Sequence, residues 1–175
     1  MDTATLNPLT EGEIVAAVAA QRDEAVAFLQ ALVREPSLLG HEQSAQALMK
    51  QRFADLGLAV SELVIDESRL KDHPGYSPSI VSYDGRVNVI GVHEPRAVRG
   101  RSLILNGHID VVPVGAERLW TRPPFEPWID GDRLHGRGAN DMKAGIVAYT
   151  MAMQALQRLG FEPAARVTLQ SVIEE

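Results

Sequence analysis

Three short motifs in the second half of the chain carry side chains that could bind a metal ion or move a proton. His108 and Asp110 end one apolar run, Asp141 follows a Gly-x-Gly loop, and Glu174 and Glu175 end the last apolar run. The sequence contains no cysteine, so any metal would use histidine and carboxylate ligands. The pattern therefore indicates the active site of a metal-dependent hydrolase.

His108 and Asp110 are two positions apart at the end of a predicted strand, where side chains at i and i+2 point to the same face. Asp110 could accept a hydrogen bond from the imidazole nitrogen that does not bind metal, which would fix the tautomer and raise the basicity of the ligand. The alternative is a histidine hydrogen-bonded in the core beside an aspartate that caps a turn. For a His-x-Asp pair taken alone, this alternative is favoured.

Asp141 follows the loop Gly136-Arg137-Gly138 and precedes a long predicted helix. A carboxylate there could bridge two cations, whereas its alternative role is the N-cap of the helix, which aspartate fills well. The two glycines also suggest a phosphate cradle. No third glycine follows, and no Ser or Thr follows Lys143, so nucleotide binding is weakly supported.

Glu174 and Glu175 are neighbours at the end of a predicted strand and should face opposite ways. In the crevice beyond the carboxyl ends of the strands they could do two jobs. One could hold a metal while the other takes a proton from water. The alternative is a solvated pair at a chain end.

The periodicity of apolar residues predicts the elements that would position these groups. A capping box at Thr10 begins a helix that Pro36 ends, and further helices are predicted at about 41–56 and 142–159. Strands are predicted at 58–65, 88–93, 102–109, 133–135 and 166–173, and the unbroken apolar run at 103–105 indicates that 102–109 is buried. Alternation of strand, helix and strand is typical of a parallel or mixed sheet, and we expect an α/β fold in which a mixed sheet is flanked by helices.

Net charge and the distribution of apolar residues argue against some classes of partner. The 175 residues carry a net charge of −6, which argues against nucleic acid or an anionic membrane as a partner. No apolar run approaches the roughly 20 residues that cross a bilayer, and the N-terminus does not have the pattern of a signal peptide. We therefore expect a cytoplasmic protein that acts on a small molecule.

Taken together, the motifs resemble the zinc-dependent family that includes acetylornithine deacetylase, succinyl-diaminopimelate desuccinylase, aminoacylase, carboxypeptidase G and peptidase T. The resemblance runs through most of the chain. The stretch at 74–78 looks most like the acetylornithine deacetylase branch. The segments that carry the resemblance are Asn106–Pro113, Trp120 with Pro124 and Phe125, Asp130–Gly131, Gly136–Gly145 and Glu174–Glu175.

The resemblance implies a role for each candidate residue. His108 would bind a first metal, Asp141 would bridge both metals, and Glu175 would bind the second. Glu174 would be the general base and later the acid, and Asp110 would orient His108. It also implies two zinc ions in a complete site, with cobalt possible, and hydrolysis of an amide bond in an N-acyl amino acid or short peptide. A homodimer is possible in the complete protein, and a cis peptide is expected after Asp141.

In that family a further carboxylate ligand, a second histidine ligand and a lid domain follow the Glu-Glu pair. Residues 1–175 are therefore expected to be the N-terminal portion of a metallohydrolase catalytic domain, with the lid domain and the remaining catalytic segment absent. The isolated chain is then expected to be inactive. Two alternatives are a non-catalytic truncated fragment and a metal- or nucleotide-binding module.

Overall fold

A four-stranded mixed sheet organises the chain, which the computed structural model describes from residue 9 to residue 174. In sequence order its strands are β1 (Ala59–Val64), β2 (Val87–His93), β3 (Leu103–His108) and β6 (Val167–Val172); a separate hairpin contains β4 (Trp128–Asp130) and β5 (Arg133–His135). The order in the sheet is β1-β2-β6-β3. Only β3 and β6 pair in parallel, and the other neighbours are antiparallel. The prediction of an α/β fold with a mixed sheet is confirmed.

Within residues 9–174, four α-helices flank the strands: α1 (Glu11–Ala19), α2 (Arg22–Arg34), α3 (Gln43–Asp55) and α4 (Ala144–Arg158). Short 3-10 turns at Glu67–Arg69 and Glu117–Leu119 lie in the loops. The predicted capping box at the start of α1 is present, since Thr10 N–H donates to Glu13 Oε2 at 2.8 Å and Thr10 Oγ1 accepts from Glu13 N–H.

The single helix predicted from the capping box to Pro36 is wrong, because the chain leaves helical geometry at Gln21 and begins again at Arg22. Gln21 is almost fully buried, and its side-chain amide donates to the carbonyls of Ala17 and Met151. Gln21 therefore connects the point where the helix is interrupted to α4, through its hydrogen bond to Met151. The apolar periodicity continues across the break, which is why the pattern resembled one helix.

The core lies between the sheet and the helices, chiefly α3 and α4. Its fully buried members include Leu32, Met49, Phe53, Val89, Ile109, Ile146 and Leu169. The prediction that the strand at 102–109 is buried is wrong for its first half. Leu103 and Ile104 are 49% and 61% exposed, because β3 lies at the edge of the described sheet and pairs only with β6.

The chain runs from β3 through the β4–β5 hairpin and α4 to β6, so the carboxyl ends of β3 and β6 meet at the same edge of the sheet as the start of α4. His108 at the end of β3 pairs with Val172 at the end of β6. In the described range, 9–174, no helix combines the length and apolar character needed to cross a bilayer.

Candidate metal centre

The imidazole of His108 lies between two carboxylates. Its Nδ1 is 3.2 Å from Oδ1 of Asp110, and its Nε2 is 3.3 Å from Oδ1 of Asp141. Nδ1 is also 3.2 Å from the Asp110 carbonyl oxygen. The same-face contact predicted for His108 and Asp110 is thus present. Burial raises the pKa of the Asp110 carboxyl above its ordinary value, although the adjacent imidazole acts in the opposite direction.

Hydrogen bonds fix the backbone on both sides of Asp110. The N–H of Ile109 donates to the carbonyl of Val172 at 2.8 Å, and the Ile109 carbonyl accepts from the hydroxyl of Ser37 at 2.7 Å. The N–H of Val111 donates to the carbonyl of Ser37 at 2.8 Å. The segment after β3 is therefore held between β6 and the loop that follows α2.

Asp141 lies on a wide turn, Ala139–Lys143, directly before α4. Its peptide bond to Met142 is cis, as the family resemblance implied. Its side chain is 75% exposed, whereas that of His108 is 8% exposed. The N-cap of α4 is Lys143, so the alternative role of Asp141 as that N-cap is excluded.

The side chain of Lys143 holds this turn against the end of α2. Its side chain is fully buried, and Nζ donates to the carbonyls of Leu32 and Glu35, each at 2.8 Å. Burial lowers the pKa of Lys143 to about 8. Since these two carbonyls lie at the C-terminal end of α2, the lysine joins α2 to the turn that carries Asp141.

The Gly-x-Gly loop forms one wall of the cleft around these groups. Gly138 adopts a φ of 77°, and a Cβ there would overlap Val111. The loop and the segment after β3 can therefore pack without a gap. The cleft has a volume of about 140 Å³ and is lined by His108, Asp110, Val112, Gly136, Arg137, Gly138, Asn140 and Asp141.

Glu174 follows β6 by two residues, and the last residue of β6, Val172, pairs with His108 at the end of β3. Oε2 of Glu174 is buried and lies 3.7 Å from Nη1 of Arg86. Glu175, the predicted ligand of a second metal, lies outside the described residues. Of the predicted residues, Asp110 and Asp141 each contact His108, through opposite ring nitrogens.

The donor types in this centre suit zinc, because zinc is bound by imidazole nitrogen and carboxylate oxygen. His108 Nε2 and Asp141 Oδ1 are in contact at 3.3 Å and would be the residues that hold a cation, while Asp110 contacts the other ring nitrogen. Between residues 9 and 174, no group of three or more His, Asp or Glu side chains has the geometry of a metal site. Among the described residues, His108 and Asp141 are therefore candidate ligands, and they are fewer than the three protein ligands usual in a catalytic zinc site.

Sequence reasoning missed a buried ion pair beside Glu174. Glu42 and Arg86 are 1% and 2% exposed and are joined at 2.7 Å. Each is a single charged residue next to an apolar segment, but nothing in the sequence relates positions so far apart. Burial raises the pKa of the nearby Tyr83 hydroxyl, and the Glu174 carboxylate raises it further.

A second cavity of about 290 Å³ adjoins the cleft and shares Gly136 and Asn140 with it. The rings of Trp128 and His135 are stacked in its wall, with centroids 4.2 Å apart. The guanidinium of Arg122 lies 4.6 Å from the centroid of the Trp128 ring. This cavity therefore has aromatic and cationic walls beside the metal centre.

Comparisons with known proteins show which sequences and structures this chain is similar to. Residues 104–175 match the sequence model described as peptidase family M20/M25/M40. Human carnosine dipeptidase 1 is similar in structure, with a TM-score of 0.76 and 20% identity over 96% of this chain and 35% of that protein. The dipeptidase Dug1p of Saccharomyces cerevisiae is similar with a TM-score of 0.68 and 16% identity, over 92% of this chain and 34% of that protein. The M20 family metallo-carboxypeptidase Sso-CP2 of Sulfolobus solfataricus is similar with a TM-score of 0.68 and 23% identity, over 87% of this chain and 31% of that protein.

At these identities the structural likeness shows the fold, and the chain spans about a third of the length of the three solved proteins. The family match includes His108, Asp110, Asp141 and the Glu-Glu pair. Residues 104–175 are therefore similar in sequence to the peptidase family M20/M25/M40, and the chain has the same fold as the matched part of the three solved proteins.

Proposed function

We propose that the protein that carries this chain is a zinc-dependent amidohydrolase of the acetylornithine deacetylase type, which cleaves the amide bond of an N-acyl amino acid or a short peptide. The observation that carries the proposal is the position of His108, with one ring nitrogen facing Asp110 and the other facing Asp141. A buried imidazole held by one carboxylate presents its second nitrogen as a ligand of defined orientation.

Under this proposal His108 and Asp141 hold metal, and Glu175 supplies a further ligand. A bound divalent cation would polarise the carbonyl group and stabilise negative charge on its oxygen. Asp110 keeps the imidazole in the required tautomer. Glu174 takes a proton from the water that attacks the acyl carbon and returns it to the leaving amine nitrogen.

The cavity with the stacked Trp128 and His135 supports a small anionic substrate. It adjoins the cleft at Asn140, and Arg122 supplies positive charge in its wall. A carboxylate is recognised well by a guanidinium, and apolar carbon packs on aromatic faces. We therefore propose that the acid part of the substrate enters this cavity while the amide bond lies at the metal centre.

The experiment measures zinc binding and turnover with the purified protein that carries this chain. Zinc affinity is measured by competition with a chromophoric chelator, and turnover with N-acetyl amino acids, their C-terminal amides and dipeptides. The proposal expects hydrolysis that zinc restores after chelation, with the free acids preferred over the amides. His108→Ala should abolish zinc binding at this centre. Full zinc occupancy in His108→Ala would refute the assignment, and zinc binding without turnover would favour a metal-binding module.

A further inference from the structure

Arg86, the residue that precedes β2, has a guanidinium that is almost completely removed from water. Its side chain is 2% exposed, although arginine is seldom buried unless it is paired. Nε donates to Oε2 of Glu42 at 3.1 Å, and Nη2 donates to Oε1 at 2.7 Å. This bidentate geometry is the strongest form of the arginine–carboxylate pair, and it fixes the plane of the guanidinium.

Glu42 is itself held in place. Its Oε1 also accepts a hydrogen bond from the N–H of Gly40 at 2.7 Å, and the residue is the N-cap position of α3. A buried ion pair of this kind contributes little net stability, because desolvation offsets the attraction between the charges. Stability alone therefore does not account for the pair, and its remaining contacts indicate what else it does.

Arg86 also contacts Ile173 and Glu174, the two residues that follow β6. Nη1 of Arg86 lies 3.7 Å from Oε2 of Glu174, and Nη2 donates to the carbonyl of Ile173 at 3.5 Å. The N–H of Ile173 donates to Oδ1 of Asn88 at 2.9 Å. The residue before Glu174 is thus hydrogen-bonded through both its carbonyl and its N–H, to two side chains, Arg86 and Asn88, that are two positions apart.

The carboxylate of Glu174 interacts with two described side chains, those of Arg86 and Tyr83, and its hydrogen bond with the Tyr83 hydroxyl helps to raise the pKa of that hydroxyl. Oε2 of Glu174 is buried and has no hydrogen bond to any residue of the described range, and the Arg86 guanidinium at 3.7 Å is the charged group that faces this oxygen. The ring of Tyr83 lies against the same guanidinium, with its centroid 5.3 Å from the guanidinium carbon. Arg86 therefore lies between a fixed carboxylate, Glu42, and a carboxylate that must be oriented, Glu174.

We propose that Arg86, fixed by Glu42, is a positioning residue that sets the location of the Glu174 carboxylate. The inference rests on the proposed function, in which Glu174 accepts a proton from the attacking water and delivers it to the leaving amine. Arg86 takes no part in the transfer. It acts only by holding the base where the proton must be received, and small displacements of such a group have large effects on rate.

The first test needs no turnover. The carboxyl carbon resonance of Glu174 is assigned by its loss in Glu174→Gln and then followed by NMR in Arg86→Lys. We expect this resonance to shift in Arg86→Lys and to stay in place in Arg52→Lys. Arg52 is a matched control, because it is a partly buried arginine paired at 2.9 Å with a different carboxylate, Glu24. An unchanged resonance in Arg86→Lys would overturn the inference.

The second test is a double-mutant cycle of turnover. Arg86→Lys should lower kcat about 10-fold or more with little change in KM, and Arg86→Lys added to Glu174→Gln should cause no further loss. Equal losses in both backgrounds would mean a merely structural role for Arg86 and would also overturn the inference. Thermal melting checks that each variant folds, and Glu42→Gln replaces Arg86→Lys in both tests if the latter does not.

The two proposals fail in different ways. If Glu174→Gln keeps near-normal turnover, or if no variant or parent protein hydrolyses an amide, the proposed function is refuted, while the NMR comparison still decides whether Arg86 positions the Glu174 carboxylate. If Glu174→Gln loses turnover but Arg86→Lys does not, the proposed function stands and the role of Arg86 is refuted.

Discussion

Oδ1 of Asp110 lies 3.2 Å from Nδ1 of His108, on the side of the ring away from Asp141. The aspartate thus contacts the predicted ligand without facing the metal position. We expect Asp110→Asn to weaken zinc affinity or turnover about 10–100-fold, because a neutral amide supports the imidazole less well than a carboxylate. Chelator competition measures the affinity. Asp72→Asn, in an exposed loop, is the control, and an equal loss there would contradict a specific effect.

Glu174→Gln should separate proton transfer from metal binding. The amide cannot accept a proton from water, so turnover should fall by at least about 100-fold, the usual scale of general-base catalysis. Zinc content by atomic absorption should stay the same. Glu126→Gln removes a carboxylate from the exposed loop before β4 and should leave both quantities unchanged. Near-normal turnover in Glu174→Gln would mean that another group is the base.

Gly138 and Gly160 have similar left-handed backbones, with φ of 77° and 68°, but different surroundings. A Cβ at Gly160 meets no atom within 4 Å, whereas one at Gly138 would overlap Val111. Gly160→Ala should lower the free energy of unfolding by about 1 kcal/mol, from backbone strain alone. Gly138→Ala should lower it by about 3 kcal/mol, because overpacking adds to the strain. Urea denaturation of both variants measures the difference, and equal losses would contradict the close packing.

Lys143→Met tests the anchor beneath the turn that carries Asp141. The change leaves the carbonyls of Leu32 and Glu35 without their buried donor, and it should lower the free energy of unfolding by about 2 kcal/mol. Lys71→Met, at an exposed position, should change it by less than about 0.5 kcal/mol. Chemical denaturation of the two variants provides the measurement. A similar small effect at both positions would show that the buried bonds contribute little.

Glu24 should make folding stability depend on pH. A hydrogen bond from Gln154, together with Arg52 and Arg158, lowers the pKa of Glu24 from 4.5 to about 2. Since the folded pKa lies below the unfolded one, the stabilisation is complete above about pH 4.5 and is lost as the pH falls towards 2.

The carboxylate of Glu24 is 38% exposed, so solvent screening reduces its contribution to about 1 kcal/mol. Urea denaturation at pH 6 and at pH 3 should therefore show a smaller loss of stability in Glu24→Gln than in the parent chain. Glu126→Gln should behave like the parent. If Glu24→Gln loses as much stability as the parent on acidification, the carboxylate does not have the lowered pKa.

The sequence predicted the fold class and most element positions, because these depend on local patterns. The capping box at Thr10, the hairpin around Gly131 and the helix after residue 142 all have such patterns, and all are present. The break at Gln21 was missed because it depends on a hydrogen bond to Met151, far along the chain. The exposure of Leu103 was missed because an apolar run does not reveal whether its strand lies at an edge.

The candidate site divides in the same way. His108 and Asp110 could be paired from the alternation of a strand, which is a local property. The approach of Asp141 to His108 could be expected only from the family resemblance, since it depends on how the turn before α4 folds back on β3. The pair of Glu42 and Arg86 had no local signal and became visible only in three dimensions.

The parallel pairing of β3 with β6 has a consequence for the order of folding. Leu103 pairs with Val167, so forming this pairing closes a long loop of chain that contains the β4–β5 hairpin and α4. Long-range pairings of this kind form slowly, because the entropy of closing the loop is lost before the contacts form. His108 and Glu174 can reach the same edge only after this step. We therefore expect zinc to slow unfolding of the finished protein and to have little effect on the rate at which the chain first collapses.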